Sequence, residues 1–268
     1  MPRKTGIFLS PEDRAKLDIS RRSNILQLLD DGWTVKEICK QLHVGTNLVC
    51  KVKKLYLDQG LSAALGIREY QPIHPYVLGI LWAIGSYNSD NVFFVRHSDP
   101  YFLEVIKKAT STPASVRKVG RNYVLKLSES YFKIQKLREL GWAERNNQDR
   151  PYPDINEHQD FIRGYFEIHG RVSEVKLHNR KSGRIQSQIR LRIFGNETLI
   201  QSINDVISFE IGIQERKLEN TQKEHSKVLG YYKTEDITEI LNWLYHDTSE
   251  YRNSSLERKY YEIINTKL

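Results

Sequence analysis

The sequence predicts an α+β protein: a helical N-terminal part followed by two pseudo-symmetric halves that each read approximately α-β-β-α-β-β-α. Three observations lead there. Apolar residues recur at helical spacing through the N-terminal quarter. Two glycine-ended apolar helices, Val77 to Gly85 and Ile162 to Gly170, each open a stretch in which helical and alternating segments follow in the same order. Proline-bearing stretches at Glu69 to Pro75 and Arg150 to Pro153 then divide the chain into residues 1–70, 71–155 and 156–268. With 268 residues, 39% of them hydrophobic, and 15 Tyr, 9 Phe and 4 Trp, the chain can bury a sizeable core, and its composition excludes disorder.

Ser10-Pro11-Glu12-Asp13 combines an N-cap, a first-turn proline and acids facing the helix dipole, so a helix starts there. A second helix is expected from Ser20 to Asp31, with Ile25, Leu28 and Leu29 inward and Gly32 as its stop. Thr34-Val35-Lys36-Glu37 has the form of a capping box and opens a short helix to Leu42. The turn His43-Val44-Gly45 leads into another helix from Thr46 to about Leu57, completing a helix-turn-helix. After Pro75 come an apolar helix (Tyr76 to Gly85), a strand (Asn91 to His97), a helix opened by Asp99-Pro100, strand-like Ser115 to Leu127 and a helix from Ser130 to Leu140. Only one strand is clear between the first two of these helices. After Pro153 the order recurs: a helix ending at Gly170, strands Val172 to His178 and Gly183 to Phe194, a helix Glu197 to Ile211, a hairpin Gln214 to Tyr232 and a helix Thr234 to Tyr245. A short helix from Leu256 to Ile264 closes the chain.

The formal charge of +8 and pI near 9.3 matter less than where the charges sit. The three parts carry surpluses of +4, +4 and 0, yet within the neutral third part Arg171 to Arg192 holds seven Lys or Arg and one acid, Glu174. Such segregation points to a face built for an anion. The two cysteines, Cys39 and Cys50, are too few for a disulfide framework and lack zinc-ligand spacing, which implies a reducing compartment and no metal cluster. The eight histidines show no i, i+4 metal spacing, and there is neither a phosphate loop nor a G-x-S-x-G, so no cofactor is expected. The most apolar run, Tyr76 to Gly85, is about half the roughly 20 residues a membrane span needs, and Met-Pro-Arg-Lys-Thr is no signal peptide, giving a cytoplasmic expectation. Trp33, Trp142 and Trp243 read as core fillers.

In the helix-turn-helix, Ile38, Leu42, Val44, Leu48, Val52 and Leu55 fall where a three-helix core would bury them. That leaves Asn47, Cys50, Lys51 and Lys54 on one exposed stripe of the last helix, headed by Thr46. Early residues of such a helix reach base edges in the major groove, where Asn47 suits adenine and Lys51 guanine, while Lys53 and Lys54 suit phosphates. The plainer alternative is a helical interaction module whose lysines are merely solvated. From Gly183 to Phe194 the alternation places Ile185, Ser187, Ile189, Leu191 and Ile193 against a core and Arg184, Gln186, Gln188, Arg190 and Arg192 on the other face. Every outward residue there is a donor suited to base edges or phosphates, and a β-ribbon fits the major groove. An ordinary solvated strand would alternate the same way. Arg121, Lys126, Arg171, Lys176 and Arg180 extend the candidate DNA-binding set.

The two glycine-ended helices have small residues six apart, Gly79 with Gly85 and Gly164 with Gly170, which would let their backbones approach closely. On these segments the chain resembles the LAGLIDADG homing endonucleases in their single-chain, two-motif form. Phe161-Ile162-Arg163-Gly164-Tyr165-Phe166 is the closer match; Leu191 to Asn196 and Trp243-Leu244-Tyr245 with Leu256 to Tyr260 look like the family's helix-entry and closing segments. The resemblance covers about residues 74 to 265. It implies two αββαββα halves forming a β-saddle that sits in the DNA major groove over a long asymmetric site, as a monomer.

The resemblance also implies an acid immediately before the final glycine of each motif, one metal-ligating carboxylate per helix. Those positions are Ile84 and His169. Isoleucine has no donor, histidine is a poor ligand for magnesium, and Glu167 lies roughly 200° around the helix from His169. The expectation is therefore no enzyme but a degenerate endonuclease: a sequence-specific double-stranded DNA-binding transcription regulator, a repressor of phage or prophage type. The alternatives are an active LAGLIDADG homing endonuclease with atypical metal ligands, and an intron-RNA-binding splicing accessory.

Overall fold

A computed structural model describes residues 11–65, 73–88, 92–128, 134–144, 150–178, 185–246 and 251–265. The N-cap expected at Ser10 and the helix start expected at Ser130 lie outside them, as do Asn91 and Gly183 at the heads of two expected strands. The chain divides into two compact units, Met1–Tyr70 and Gln71–Leu268.

The first unit is helical. α1 spans Pro11–Asp30 without interruption, where the sequence predicts two helices. Nothing between Leu17 and Ser20 breaks a helix, since the stretch holds neither glycine nor proline. Gly32, at φ 83°, ends the run as expected. α2 is Val35–Leu42, opened by the full capping box: Thr34 N–H donates to Glu37 Oε2 at 2.8 Å, and Glu37 N–H donates to Thr34 Oγ1 at 3.4 Å. α3 is Thr46–Gln59 and α4 is Leu61–Leu65, a short helix not foreseen. Ile25, Leu26, Ile38, Val49, Val52 and Ala64 form the core of this unit. Val49 replaces Leu48 as the buried residue of its turn, and Trp33 is 40% exposed rather than in a core.

The second unit holds two antiparallel four-stranded sheets of matching order. α5 (Pro75–Ile84) is followed by β1 (Gly85–Tyr87), β2 (Phe93–His97), α6 (Tyr101–Thr110), β3 (Arg117–Val119), β4 (Asn122–Leu127) and α7 (Ile134–Glu139). α8 (His158–His169) is followed by β5 (Gly170–His178), β6 (Ile185–Gly195), α9 (Glu197–Ile211), β7 (Glu219–Asn220), β8 (Lys227–Tyr231), α10 (Thr234–Tyr245) and α11 (Ser254–Asn265). The sheets run β1-β2-β4-β3 and β5-β6-β8-β7. The strand missing from the sequence reading is β1, three residues that continue directly out of α5 and are too short to show a period.

α5 and α8 pack against each other through glycine. A Cβ on Gly79 would lie 2.8 Å from Tyr165 N and against the Phe161 carbonyl oxygen; one on Gly164 would lie 3.3 Å from Ile80 N and against the Tyr76 carbonyl oxygen. The contacts are reciprocal, since Gly79, Tyr76 and Ile80 correspond to Gly164, Phe161 and Tyr165 in the other half, as a pseudo-twofold requires. Gly85 and Gly170, expected at the same interface, instead close against Phe93 and Phe166 where each helix turns into its strand.

Beside this crossing lies a buried polar group. Arg163 is fully buried; its guanidinium donates to Leu244 O at 3.1 Å and Tyr251 O at 3.0 Å and pairs with Asp160 at 2.5 Å. Glu167, 6% exposed, accepts from Tyr76 OH at 2.5 Å and Tyr245 OH at 3.1 Å. Burial pushes its carboxyl up to about 7, against the two hydrogen bonds and Arg163, which favour the ionised form. The folded protein thus holds a proton here that the unfolded chain has released. Stability from this group is complete below about pH 4.5 and is lost as pH rises through about 7, a transition worth about 3 kcal/mol at most. Glu167→Gln is expected to flatten that segment of the stability-against-pH curve. Denaturant titrations at pH 5 and pH 8 check it, and an unchanged slope would refute the assignment.

Candidate nucleic-acid interface

In the first unit, the buried side chains Ile38, Val49 and Val52 turn the opposite face of α3 outward. His43 takes the left-handed conformation at φ 52°, and Val44 N–H returns to Cys39 O at 3.2 Å, making the tight turn. Asn47, Cys50, Lys51 and Lys54 are all exposed along one side of α3, as expected, with Thr46 and Lys53 exposed on its flank. Thr46 Oγ1 also accepts from Cys39 Sγ at 3.8 Å, tying α2 to the start of α3.

In the second sheet, pairing decides faces. Cross-strand partners share a face, and Val172 opposite Leu191 with Gly170 opposite Ile193 marks the core side. The outer side then carries Arg171 opposite Arg192, Ser173 opposite Arg190, Val175 opposite Gln188 and Leu177 opposite Gln186. Five of the expected residues, Arg171, Gln186, Gln188, Arg190 and Arg192, therefore share one face. Lys176 does not: it is paired with Ser187 and lies on the opposite face, because a one-residue step along a strand changes sides. Ile185, expected in the core, is 58% exposed, and burial falls off along both β5 and β6 towards that end. Arg180 and Arg184 lie outside the described residues. The outer guanidinium groups are held by neighbours: Arg190 lies 5.5 Å from the Tyr232 ring centroid and donates to Gln188 Oε1 at 3.1 Å, and Arg192 lies 5.6 Å from the Phe194 centroid.

In the first sheet, buried Val95 opposite Leu125 and Phe93 opposite Leu127 define the core side. Lys126, paired with Phe94, is on the outer side, and Arg121 is exposed in the turn between β3 and β4. Two outer arginines were missed: Arg96, paired with Val124, and Arg117, paired with the same residue from β3. Arg96 sits 5.7 Å from the Phe94 centroid. Counting alternate residues from Val95 would have found Arg96, but outward Phe94 hides the alternation.

Between the sheets, α5 and α8 end side by side. His169 Nε2–H donates to Ala83 O at 3.2 Å, and Arg150, 6% exposed, donates through Nε to Ala143 O at 2.7 Å and through Nη1 to Trp82 O. A cavity of about 1100 Å³ opens here, lined by Ala83, Arg150, His169, Arg192 and Asn196 among others. Asn196 shapes its wall: Oδ1 caps α9 by accepting from Leu199 N at 2.8 Å, and Nδ2 donates to Arg150 O at 3.0 Å. Positions 84 and 169 do not fit a hard divalent cation, because Ile84 has no donor atom and His169 Nε2 is turned to a carbonyl.

The comparisons agree with these two units. A homeodomain-like domain family matches residues 16–65. Among solved structures, the I-SmaMI LAGLIDADG homing endonuclease bound to cleaved DNA is similar at 14% identity and a TM-score of 0.51, over 74% of this chain and 91% of that one. The LAGLIDADG meganuclease I-CpaMI bound to uncleaved DNA is similar at 12% identity and a TM-score of 0.52, over 72% and 92%. Among curated proteins, none matches by sequence. The chain has a helix-turn-helix region and the two-half LAGLIDADG fold. The expectation that it is no enzyme is overturned by these neighbours, which are homing endonucleases: the fold is one that DNA-cleaving enzymes use. Among the described residues, no helix is long and apolar enough to cross a membrane.

Proposed function

We propose that this chain is a sequence-specific double-stranded DNA-binding protein that regulates transcription, reading one long asymmetric site as a monomer through its helix-turn-helix and its two sheets. The observation that carries this is the outer face of β5 and β6. Arg171, Gln186, Gln188, Arg190 and Arg192 share that face, while Glu174, the acid of these strands, is paired with Ile189 on the other side. Arginine binds guanine through two parallel hydrogen bonds, and glutamine does the same with adenine. Lysines of α3 add phosphate contacts, and joining two readers on one chain makes the second docking intramolecular. Occlusion of a promoter would make such a protein a repressor. The pseudo-twofold is internal to the chain, so a single copy presents both halves.

Mobility shifts of the purified protein against duplex DNA, at several salt concentrations, test the reading. Stable complexes are expected, with affinity falling steeply in salt, a log–log slope of about −5 or steeper if six or more phosphates are contacted. A flat slope, or preference for structured RNA over duplex DNA, would remove it. The similarity to homing endonucleases favours a second reading, site-specific cleavage. Incubating the same complexes with Mg²⁺ or Mn²⁺ separates the two: cuts at a fixed position establish cleavage, and intact shifted DNA supports the regulator.

A further inference from the structure

Superposing the strand registers of the two halves exposes an exchange on the outer faces. Gly85 pairs with Val95 as Gly170 pairs with Ile193, so position 94 corresponds to 192 and position 96 to 194. The outer pair in the first half is Phe94 then Arg96; in the second it is Arg192 then Phe194. Each half thus sets one guanidinium over one phenyl ring, at 5.7 and 5.6 Å, on the same two positions but in opposite order. The flanking charges follow the exchange. The row of Arg96 also holds Arg117, whereas the equivalent row in the second half holds Phe194 and Glu219, the latter accepting from Tyr232 OH. The row of Arg192 holds Arg171, where the first half has Ser86 beside Phe94.

A ring beneath a guanidinium leaves its edge donors free to point outward while restricting its rotamers, which is the state an arginine needs to read a guanine edge. Two strand residues advance about 6.8 Å, close to two base-pair steps along a duplex. We infer that Arg96 and Arg192 are specificity-determining residues of the two sheets, and that their exchanged order sets the two arginine-read guanines at distances from the site centre that differ by about two base pairs. The target is then non-palindromic at these positions for a reason built into the sheets. This rests on the proposed reading of duplex DNA.

Selection of binding sites from a random duplex pool, with the full chain, tests it. The wild-type motif is expected to hold one guanine per half at unequal distances from the midpoint. Arg96→Ala should erase the guanine of one half only, and Arg192→Ala that of the other, each weakening the preferred site about tenfold or more. The double variant Phe94→Arg/Arg96→Phe should move the first half's guanine by about two base pairs and equalise the distances. Melting curves of all variants establish that they are folded, and Arg96→Ala, at an exposed position, keeps the test alive if the double variant is not. Duplex enrichment with a motif unmoved in folded variants overturns the inference alone. Failure to enrich any duplex overturns the DNA-binding reading and the inference with it.

Discussion

Gly164→Ala is expected to destabilise the second unit by about 3 kcal/mol or more, the upper part of the range for overpacking. The added methyl meets the Tyr76 carbonyl oxygen, with Tyr76 C at 3.0 Å and Ile80 N at 3.3 Å, and these are backbone atoms of α5 that no rotamer change can move aside. Relief requires the two helices to separate, which would open the hydrophobic core shared by both halves. Gly79→Ala should behave alike by the reciprocal geometry. Gly45→Ala is the milder comparison: nothing lies within 4 Å of its Cβ and its backbone is extended at φ −73°, so only the poorer N-cap preference of alanine for α3 acts, a loss of about 0.5 to 1 kcal/mol. Denaturant midpoints measure all three, and a Gly164→Ala protein as stable as Gly45→Ala would mean that the helices are not in backbone contact.

Arg190→Ala together with Arg192→Ala is expected to weaken binding to the preferred duplex by about 2 to 6 kcal/mol, at roughly 1 to 3 per base-reading arginine. Loss of Arg190 also frees Gln188 Oε1 from its 3.1 Å hydrogen bond, so the effects of the pair need not add. Lys176→Ala, on the opposite face, should change affinity far less, and the contrast tests the register rather than the net charge. Equal losses from Lys176 and the arginine pair would point to long-range electrostatics alone. An unchanged affinity in the double variant would take the second sheet out of the interface.

The order of elements was legible because its signals are local. The capping box at Thr34, the glycine stop at Gly32 and the period of two through β6 are each written within a few residues. So was the exposed side of α3, since a 3.6-residue period with apolar anchors leaves little choice of face. Failures came where a short element carries too little pattern: three-residue β1 was missed, and in three-residue β3 the outer position of Arg117. The face of Lys176 was not legible, because charge count in a segment says nothing about which side of a strand each charge occupies.

By itself the chain's residue order settled the helical start, the repeat of two halves apart from strand β1, and a basic strand face, since propensity, capping and periodicity act between near neighbours. Tertiary structure alone decided which glycines let α5 and α8 touch, that Arg163 and Glu167 end up buried beside Leu244, Tyr245 and Tyr251, and that Phe94 with Arg96 stands where Arg192 with Phe194 stands in the other half. These facts depend on pairings between residues tens of positions apart, and steric fit and strand register across such separations arise only when the chain has closed on itself.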